Sequence, residues 1–241
     1  MLARADLESL LRARKLDRTL TTALPSAASC DELAAATDLP FFDARLGGGF
    51  PRGHLSELVG PRSSGRTSVL LQTLAAATAR GELVALVDAL DMLDVTSASA
   101  AGIDLERFLW IRGHVVTNPG MCRDTNQRVL EQAVKALTLV LQAGNFGIVV
   151  LDVAEAPNDA IRRLPFTTWL RLQRIIEGTQ TACLLVGTEL MARSSAGLTV
   201  RLNMAQGAGR RVNRLDGQWL AGSDLDIQVV RARARMHENR V

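Results

Sequence analysis

Cysteine, histidine and long apolar runs are scarce in this sequence, and each absence excludes a class of protein. The cysteines, Cys30, Cys122 and Cys183, lie far apart without the paired spacing of metal ligands, so we expect reduced thiols and no zinc site. No apolar run reaches the roughly 18 residues that a membrane span requires. Charged residues also interrupt the N-terminal segment, where a signal peptide would have its apolar centre. We therefore expect a cytoplasmic protein without a membrane segment.

The chain is nevertheless long and apolar enough for one substantial core. Its 241 residues are 47% hydrophobic, which predicts a single α/β domain with an N-terminal extension. The net charge of +3 is mild, and it is carried almost entirely by arginine, because Lys15 and Lys135 are the only lysines. A balance this weak permits contact with nucleic acid or an acidic partner without indicating either.

Residues 55–70 have the pattern of a buried strand, a glycine-bounded turn and an apolar helix. Gly60, Gly65 and Thr67 stand where a phosphate-binding loop has its two glycines and its Ser or Thr. Backbone N–H groups of such a loop form an anion site at the helix N-terminus, so the main chain predicts retained affinity for phosphate. Arg66 stands at the lysine position, and its larger planar guanidinium is not interchangeable with a lysine ammonium. We therefore expect phosphate binding without the alignment that phosphoryl transfer needs.

Residues 1–40 are predicted to form a helical arm. Apolar residues recur at helical spacing over residues 3–20, and residues 31–37 are predicted to form a second, short helix after a break rich in small residues. Such an arm has to pack on the protein's own core or on another chain.

Short apolar strands alternate with helices in the middle of the chain. The predicted strands are 83–88, 108–111, 147–152 and 182–187, and the predicted helices are 66–80, 95–101, 123–142 and 166–177. This alternation predicts an α/β fold with a doubly wound, mainly parallel sheet covered on both faces. Hairpin strands predicted at 199–203, 211–215, 218–221 and 226–233 add an antiparallel C-terminal edge, followed by a tail at 236–241.

Residues 46–67 resemble the core of the RecA recombinase family, whose loop reads Gly-Pro-Glu-Ser-Ser-Gly-Lys-Thr. The likeness continues through 87–94 and 102–105, and 148–152 resembles the Walker B strand of that family. The resemblance implies a RecA-like core over about residues 41–235. It also implies a vestigial nucleotide site, with Thr67 and Asp152 as the pair that would hold Mg²⁺. The residues of that site are Gly60, Ser63, Ser64, Gly65, Arg66, Thr67, Ser68 and Asp152.

Three departures from the family pattern concern chemistry rather than fold. Arg66 replaces the lysine, Leu90 replaces the glutamate that polarises the attacking water, and Gly187-Thr188 replaces an Asn-Gln pair that senses the terminal phosphate. Phosphoryl transfer depends on positioned charge, so the three together predict a degenerate pseudo-ATPase. Such a protein requires no cofactor and binds ATP or ADP with Mg²⁺ weakly at most.

The alternative is an active DNA-dependent ATPase of the RecA or RadA type. That enzyme would need another acid in place of the missing glutamate, and Asp91 and Glu155 are the candidates.

Within the family, a core with this degenerate loop and a helical arm in front is similar to the ImuA proteins, which are RecA-like accessory proteins of bacterial DNA-damage mutagenesis. That resemblance implies a non-catalytic adaptor in the SOS response and translesion synthesis. It further implies RecA, ImuB and a replicative-type translesion polymerase as partners, with the arm contacting RecA.

Arginines on two predicted loops are candidates for contact with single-stranded DNA. Arg162 and Arg163 lie in 156–165, and Arg193 lies in 191–198, at the places of the family's two DNA-binding loops. The alternative is that these arginines lie on the surface and bind no ligand.

A second candidate surface, for a partner or DNA, consists of the C-terminal arginines Arg201, Arg210, Arg211, Arg214, Arg231, Arg233, Arg235 and Arg240. Charges there also serve to prevent pairing between sheet edges.

Overall fold

A mainly parallel sheet with helices on both faces forms the centre of the protein. The computed structural model describes residues 33–113, 123–192, 196–204 and 225–232. The strands are β1 Ala34–Ala35, β2 Phe50–Pro51, β3 Leu55–Val59, β4 Val84–Asp88, β5 Phe108–Arg112, β6 Ile148–Asp152, β7 Ala182–Gly187, β8 Leu198–Met204 and β9 Leu225–Ala232. The helices are α1 Pro40–Leu46, α2 Arg66–Ala79, α3 Val95–Ala100, α4 Arg123–Ala143, α5 Asn158–Arg163 and α6 Phe166–Ile176, and a 3₁₀ turn spans Leu105–Arg107.

Among the described residues, seven strands form the main sheet in the order β5-β4-β6-β7-β3-β8-β9. All neighbouring strands are parallel except β8 and β9, which run antiparallel. The predicted α/β class, the mainly parallel sheet and the antiparallel C-terminal strands are therefore confirmed. The antiparallel part begins only at β9, because β8 pairs in parallel with β3.

The apolar runs of β4, β6 and β7 are buried from both sides, which is why they show no alternation of polar and apolar residues, whereas β5 at the edge of the sheet is partly exposed. One core cluster packs α1 and α2 on the first face of the sheet, where Phe42 meets Phe50 with ring centroids 5.9 Å apart. The other cluster packs α4 and α6 on the opposite face, with Leu137 and Trp169 buried in it. The carboxyl ends of β4 and β6 thereby meet at one edge, where Asp88 is the direct neighbour of Asp152.

The short helix predicted at 31–37 is wrong over residues 34–37. Ala34 and Ala35 form β1, which pairs antiparallel with Phe50–Pro51. Gly49 allows this pairing, because it has φ +124° and a Cβ there would lie 2.2 Å from the carbonyl oxygen of Ala35. The chain then turns into α1, which begins at a proline.

Several other predictions lie outside the described residues. These are the arm helix at 3–20, the strands at 211–215 and 218–221, and the tail at 236–241. No helix in the described part of the chain combines the length and the apolar composition needed to span a bilayer.

Candidate functional site

The turn between β3 and α2 has the backbone shape of an anion site. Ser63 and Gly65 both have positive φ, at 61° and 89°, and Gly65 is the N-cap residue of α2. No side chain of the described residues caps this helix, so its first N–H groups point out of the turn without a side-chain acceptor. The loop thus presents donors and a positive helix end to any ligand placed before α2.

Both glycines of the turn have a structural reason: Gly60 packs against the backbone of β8, and Gly65 has φ +89°, a conformation that residues with a side chain rarely adopt. A Cβ on Gly60 would lie 2.2 Å from the carbonyl oxygen of Leu202 in β8, and a Cβ on Gly65 would lie 2.5 Å from Cδ2 of Leu225 in β9. The sequence pattern attributes these glycines to phosphate approach. The structure adds a reason for them that needs no ligand.

A cavity of about 200 Å³ lies beside the turn, at the carboxyl ends of β4 and β6. Arg66, Thr67 and Asp152 line it, as the sequence predicts for residues of one site. Leu90 and Glu155 line it as well. The structure therefore brings the loop cation, the hydroxyl and the Walker B acid together, with a leucine where phosphoryl transfer would need a carboxylate.

Arg66 is buried in this cavity with part of its hydrogen-bonding capacity unused. The residue is 6% exposed, and its Nε and Nη1 have no hydrogen-bond partner among the described residues. Burial lowers the pKa of the Arg66 guanidinium, whereas the nearby Asp152 and Glu155 carboxylates raise it. Buried donors without acceptors are costly, so Arg66 is a group that a bound anion would satisfy.

Other contacts occupy the residues that could replace the missing acid and sensor. Asp91, with φ 58°, accepts two hydrogen bonds of 2.7 Å from Arg112 and is not among the residues that line the cavity. Glu155 lines the cavity but is ion-paired with Arg62 of the turn. Thr188, at the sensor position, donates its hydroxyl hydrogen to Oδ1 of Asn158 at 3.0 Å.

A magnesium ion is compatible with the two oxygen ligands that the sequence predicts. Within the described residues no group of three or more His, Cys, Asp or Glu side chains could hold a metal ion. The Thr67 hydroxyl and the Asp152 carboxylate line the same cavity, and Mg²⁺ prefers such hard oxygens. Because two protein oxygens are few for Mg²⁺, these residues fit the ion only together with phosphate oxygens of a bound ligand.

Comparison with known proteins agrees with this geometry. The model of the RecA N-terminal domain family matches residues 31–161. The chain belongs to this family. A relative named Protein RecA from Nostoc sp. is 37% identical over 114 residues, which are 47% of this chain and 28% of the relative. Protein RecA from Corynebacterium jeikeium is 38% identical over 115 residues, which are 47% of this chain and 27% of the relative. Protein RecA from Picosynechococcus sp. is 45% identical over 67 residues, which are 28% of this chain and 19% of the relative. The chain therefore spans less than a third of the length of these RecA relatives.

Two of the loop arginines predicted to contact DNA, Arg162 and Arg163, are not among the residues that line the cavity of this RecA-family chain. The segment predicted as the first loop, 156–165, contains helix α5, which begins after Pro157. Arg163 pairs with Asp159 one turn earlier on that helix, at 2.7 Å, and Arg162 is exposed beside it. Arg193 lies outside the described residues.

Two of the eight arginines of the predicted C-terminal surface lie among the described residues. Arg201 lies on β8 and Arg231 on β9, the two strands of the antiparallel pair. The remaining six arginines of that surface, Arg210, Arg211, Arg214, Arg233, Arg235 and Arg240, lie outside the described residues.

Sequence reasoning missed Glu57, which connects the turn to the segment after β7. It is 1% exposed in the middle of β3. Its Oε1 accepts hydrogen bonds from the backbone N–H groups of Met191 and Ala192, both at 2.7 Å, and its Oε2 accepts one from the Thr199 hydroxyl at 3.0 Å. The available signal was a carboxylate within a strand predicted to be buried, since a buried charge requires partners.

Asp152, which lies beside Asp88 at the carboxyl end of β6, has a raised pKa. Burial is the main cause that raises its pKa from 3.8 to about 6, with Asp88 and Glu155 adding to it and with the Ala154 N–H and Arg66 opposing it. Between these two pH values the folded chain holds a proton that the unfolded chain releases. Stability is therefore lost as the pH rises from about 4 to 6, and the loss is complete above that range.

We expect Asp152→Asn to stabilise the protein at pH 7.5 and to leave its stability unchanged at pH 4. The full shift corresponds to about 3 kcal/mol, but Asp152 keeps part of its surface on the cavity, so we expect about 1–2 kcal/mol. Urea denaturation across this pH range measures the difference. Glu177→Gln is the matched control, because Glu177 is exposed and does not line the cavity. An equal difference from wild type at both pH values would contradict the assignment.

Proposed function

We propose that this RecA-family protein is a non-catalytic accessory protein of the SOS response. In this proposal it is a pseudo-ATPase that binds RecA and, with ImuB and a replicative-type polymerase, supports translesion synthesis. The observation that carries the proposal is Leu90 in the wall of the cavity that contains Arg66, Thr67 and Asp152. A leucine can neither accept a proton from water nor orient it, so the position of the family's glutamate supplies no group that activates an attacking water.

Two further observations support the absence of hydrolysis. The Arg66 guanidinium is buried and is larger and less flexible than a lysine ammonium, and the nearby Asp152 and Glu155 carboxylates raise its pKa against the effect of burial. Thr188 has a hydroxyl where the family pattern has an amide, and that hydroxyl donates to Asn158. Membership of the RecA family supports the RecA-related partners, and the ImuA resemblance supports the polymerase complex.

A second candidate function, a DNA-dependent ATPase, is favoured by one observation. Glu155 is a carboxylate that does line the cavity, and it could act as the base if it left Arg62. In this alternative Glu155 replaces the missing glutamate of the family.

ATP turnover separates the two candidates. We expect the full chain with Mg²⁺ to release no phosphate above the buffer rate, with or without single-stranded DNA, while RecA measured in parallel hydrolyses ATP. Turnover that depends on Mg²⁺ and is lost in Glu155→Gln would instead establish the ATPase. The adaptor role is tested separately by size exclusion and pull-down with RecA and the polymerase subunits from the same cell.

The contribution of the arm to RecA binding needs a carefully placed deletion. Removing residues 1–40 would also remove Ala35 and Thr37, which are fully buried in the described fold. Deleting residues 1–32 avoids this damage. RecA binding that survives the shorter deletion unchanged would exclude the arm as the contact.

A further inference from the structure

An ion pair joins the turn to the segment after β6. Nε of Arg62 donates to Oε1 of Glu155 at 3.3 Å, and Nη2 donates to Oε2 of the same carboxylate. The Arg62 side chain is 78% exposed and the Glu155 side chain 26% exposed. The two bonds engage both carboxylate oxygens in the forked geometry with which guanidinium also binds phosphate.

The same carboxylate also acts on the second guanidinium of the loop. Glu155 and Arg66 line one cavity, and Glu155 raises the pKa of Arg66 while Arg62 lowers it. The two arginines and the glutamate are therefore close enough to form one electrostatic cluster. Arg66 still has two donor atoms without acceptors among the described residues.

We propose that Glu155 competes with phosphate ligands for the loop, because its carboxylate occupies the anion position at Arg62 that a phosphate group would otherwise take. A ligand with a phosphate dianion binds by displacing Glu155 from Arg62 and by supplying acceptors to Arg66. This inference concerns the binding properties of the proposed nucleotide cradle and rests on that part of the proposed function. It does not depend on whether hydrolysis occurs.

The cavity is large enough to enclose the phosphate end of a ligand but not a whole nucleotide. Sites that enclose whole small molecules measure about 300–1,000 Å³, whereas this cavity measures about 200 Å³. Exposed ion pairs contribute little to stability, so Glu155 can be displaced. While it stays in the cavity wall, however, its negative charge repels each additional charge of the ligand. Inorganic phosphate and the terminal phosphate of a nucleoside diphosphate share the chemistry that this site recognises.

Calorimetric titration of the full chain with inorganic phosphate and, separately, with ADP tests the inference, both without Mg²⁺ and at low ionic strength. We expect Glu155→Gln, which keeps the side-chain volume, to bind both ligands about tenfold more tightly than wild type. A tenfold change equals about 1.4 kcal/mol. Glu177→Gln, which removes the same charge from an exposed position on the end of α6, should leave both affinities unchanged.

A double variant identifies the arginine involved. The double variant Arg62→Gln/Glu155→Gln should lose the tenfold gain in affinity. The gain depends on the Arg62 guanidinium, which Glu155→Gln leaves free for the ligand and which the double variant lacks. Unfolding temperatures of all variants, measured in the same buffers, show whether each is folded.

The outcomes separate this inference from the proposed function. Equal or weaker binding by Glu155→Gln, a gain for ADP alone, or no detectable binding by either wild type or Glu155→Gln would each overturn the inference. None of these results involves ATP turnover or RecA binding, which test the proposed function.

Discussion

Replacing Glu57 by alanine is expected to lower the free energy of unfolding by about 3–5 kcal/mol. The substitution removes the carboxylate oxygen that accepts from two backbone N–H groups, those of Met191 and Ala192, and one partner of the Thr199 hydroxyl, all within a buried region. For a chain of this length each kcal/mol corresponds to about 2–4 °C, so the unfolding temperature should fall by about 6–20 °C. Thermal and urea denaturation measure both quantities.

The matched substitution Glu57→Gln separates lost hydrogen bonds from lost charge. Glutamine keeps one acceptor oxygen for Met191 and Ala192, and its amide can donate to the Thr199 hydroxyl, so its cost should be well below that of alanine. Glu177→Ala, at an exposed position, should stay within about 0.5 kcal/mol of wild type. A Glu57→Ala protein as stable as this control would show that the carboxylate does not hold the segment after β7.

Glu57 is three residues before Gly60, at which the phosphate-loop turn begins. The backbone N–H of Gly60 in turn donates to the carbonyl oxygen of Gly187 at 3.3 Å. Glu57 thus fixes the segment that follows β7 to the strand that carries the loop, and Gly60 bonds to Gly187 at the end of β7 itself. We infer that the loop geometry depends on this packing and not only on the loop residues themselves.

The sheet strands were predictable because their signal is local. β4, β6 and β7 are continuous apolar runs buried on both faces, and the predicted bounds agree with the observed ones within one residue. The proximity of Arg66, Thr67 and Asp152 was predictable for the same reason, since the carboxyl ends of parallel strands lie at one edge of the sheet. The loop motif placed each residue at the correct end of its strand or helix.

The features that were missed depend on contacts between distant residues. Ala34 and Ala35 have high helix propensity, yet they form a strand because Phe50–Pro51 lies beside them. The pair between Arg62 and Glu155 joins residues 93 positions apart, and no spacing in the sequence indicates it. The partners of Glu57 likewise lie more than 130 positions away. Local patterns therefore located the elements but not the side chains that fix the site.

Replacing Gly60 by alanine is expected to lower the free energy of unfolding by about 3 kcal/mol in the absence of any ligand. The added Cβ would lie 2.2 Å from the carbonyl oxygen of Leu202 and 2.8 Å from Oγ of Ser64. The serine hydroxyl can rotate away, but the carbonyl belongs to the backbone of β8. Moving it disturbs the parallel pairing of β3 with β8, in which Val59 is the partner of Arg201.

Gly144→Ala is the control for this substitution, because it tests backbone strain without a clash. Gly144 has φ +73°, and a Cβ added there would meet no described atom within 4 Å, so its cost should be limited to the about 1–2 kcal/mol of a left-handed residue. Urea denaturation of both variants without nucleotide or phosphate gives the comparison. If Gly60→Ala cost no more than Gly144→Ala, the contact with β8 would not be the reason for the glycine, and close approach of a phosphate would be the remaining one. A larger cost for Gly60→Ala would mean that the fold itself requires a glycine at this position, whether or not a phosphate binds.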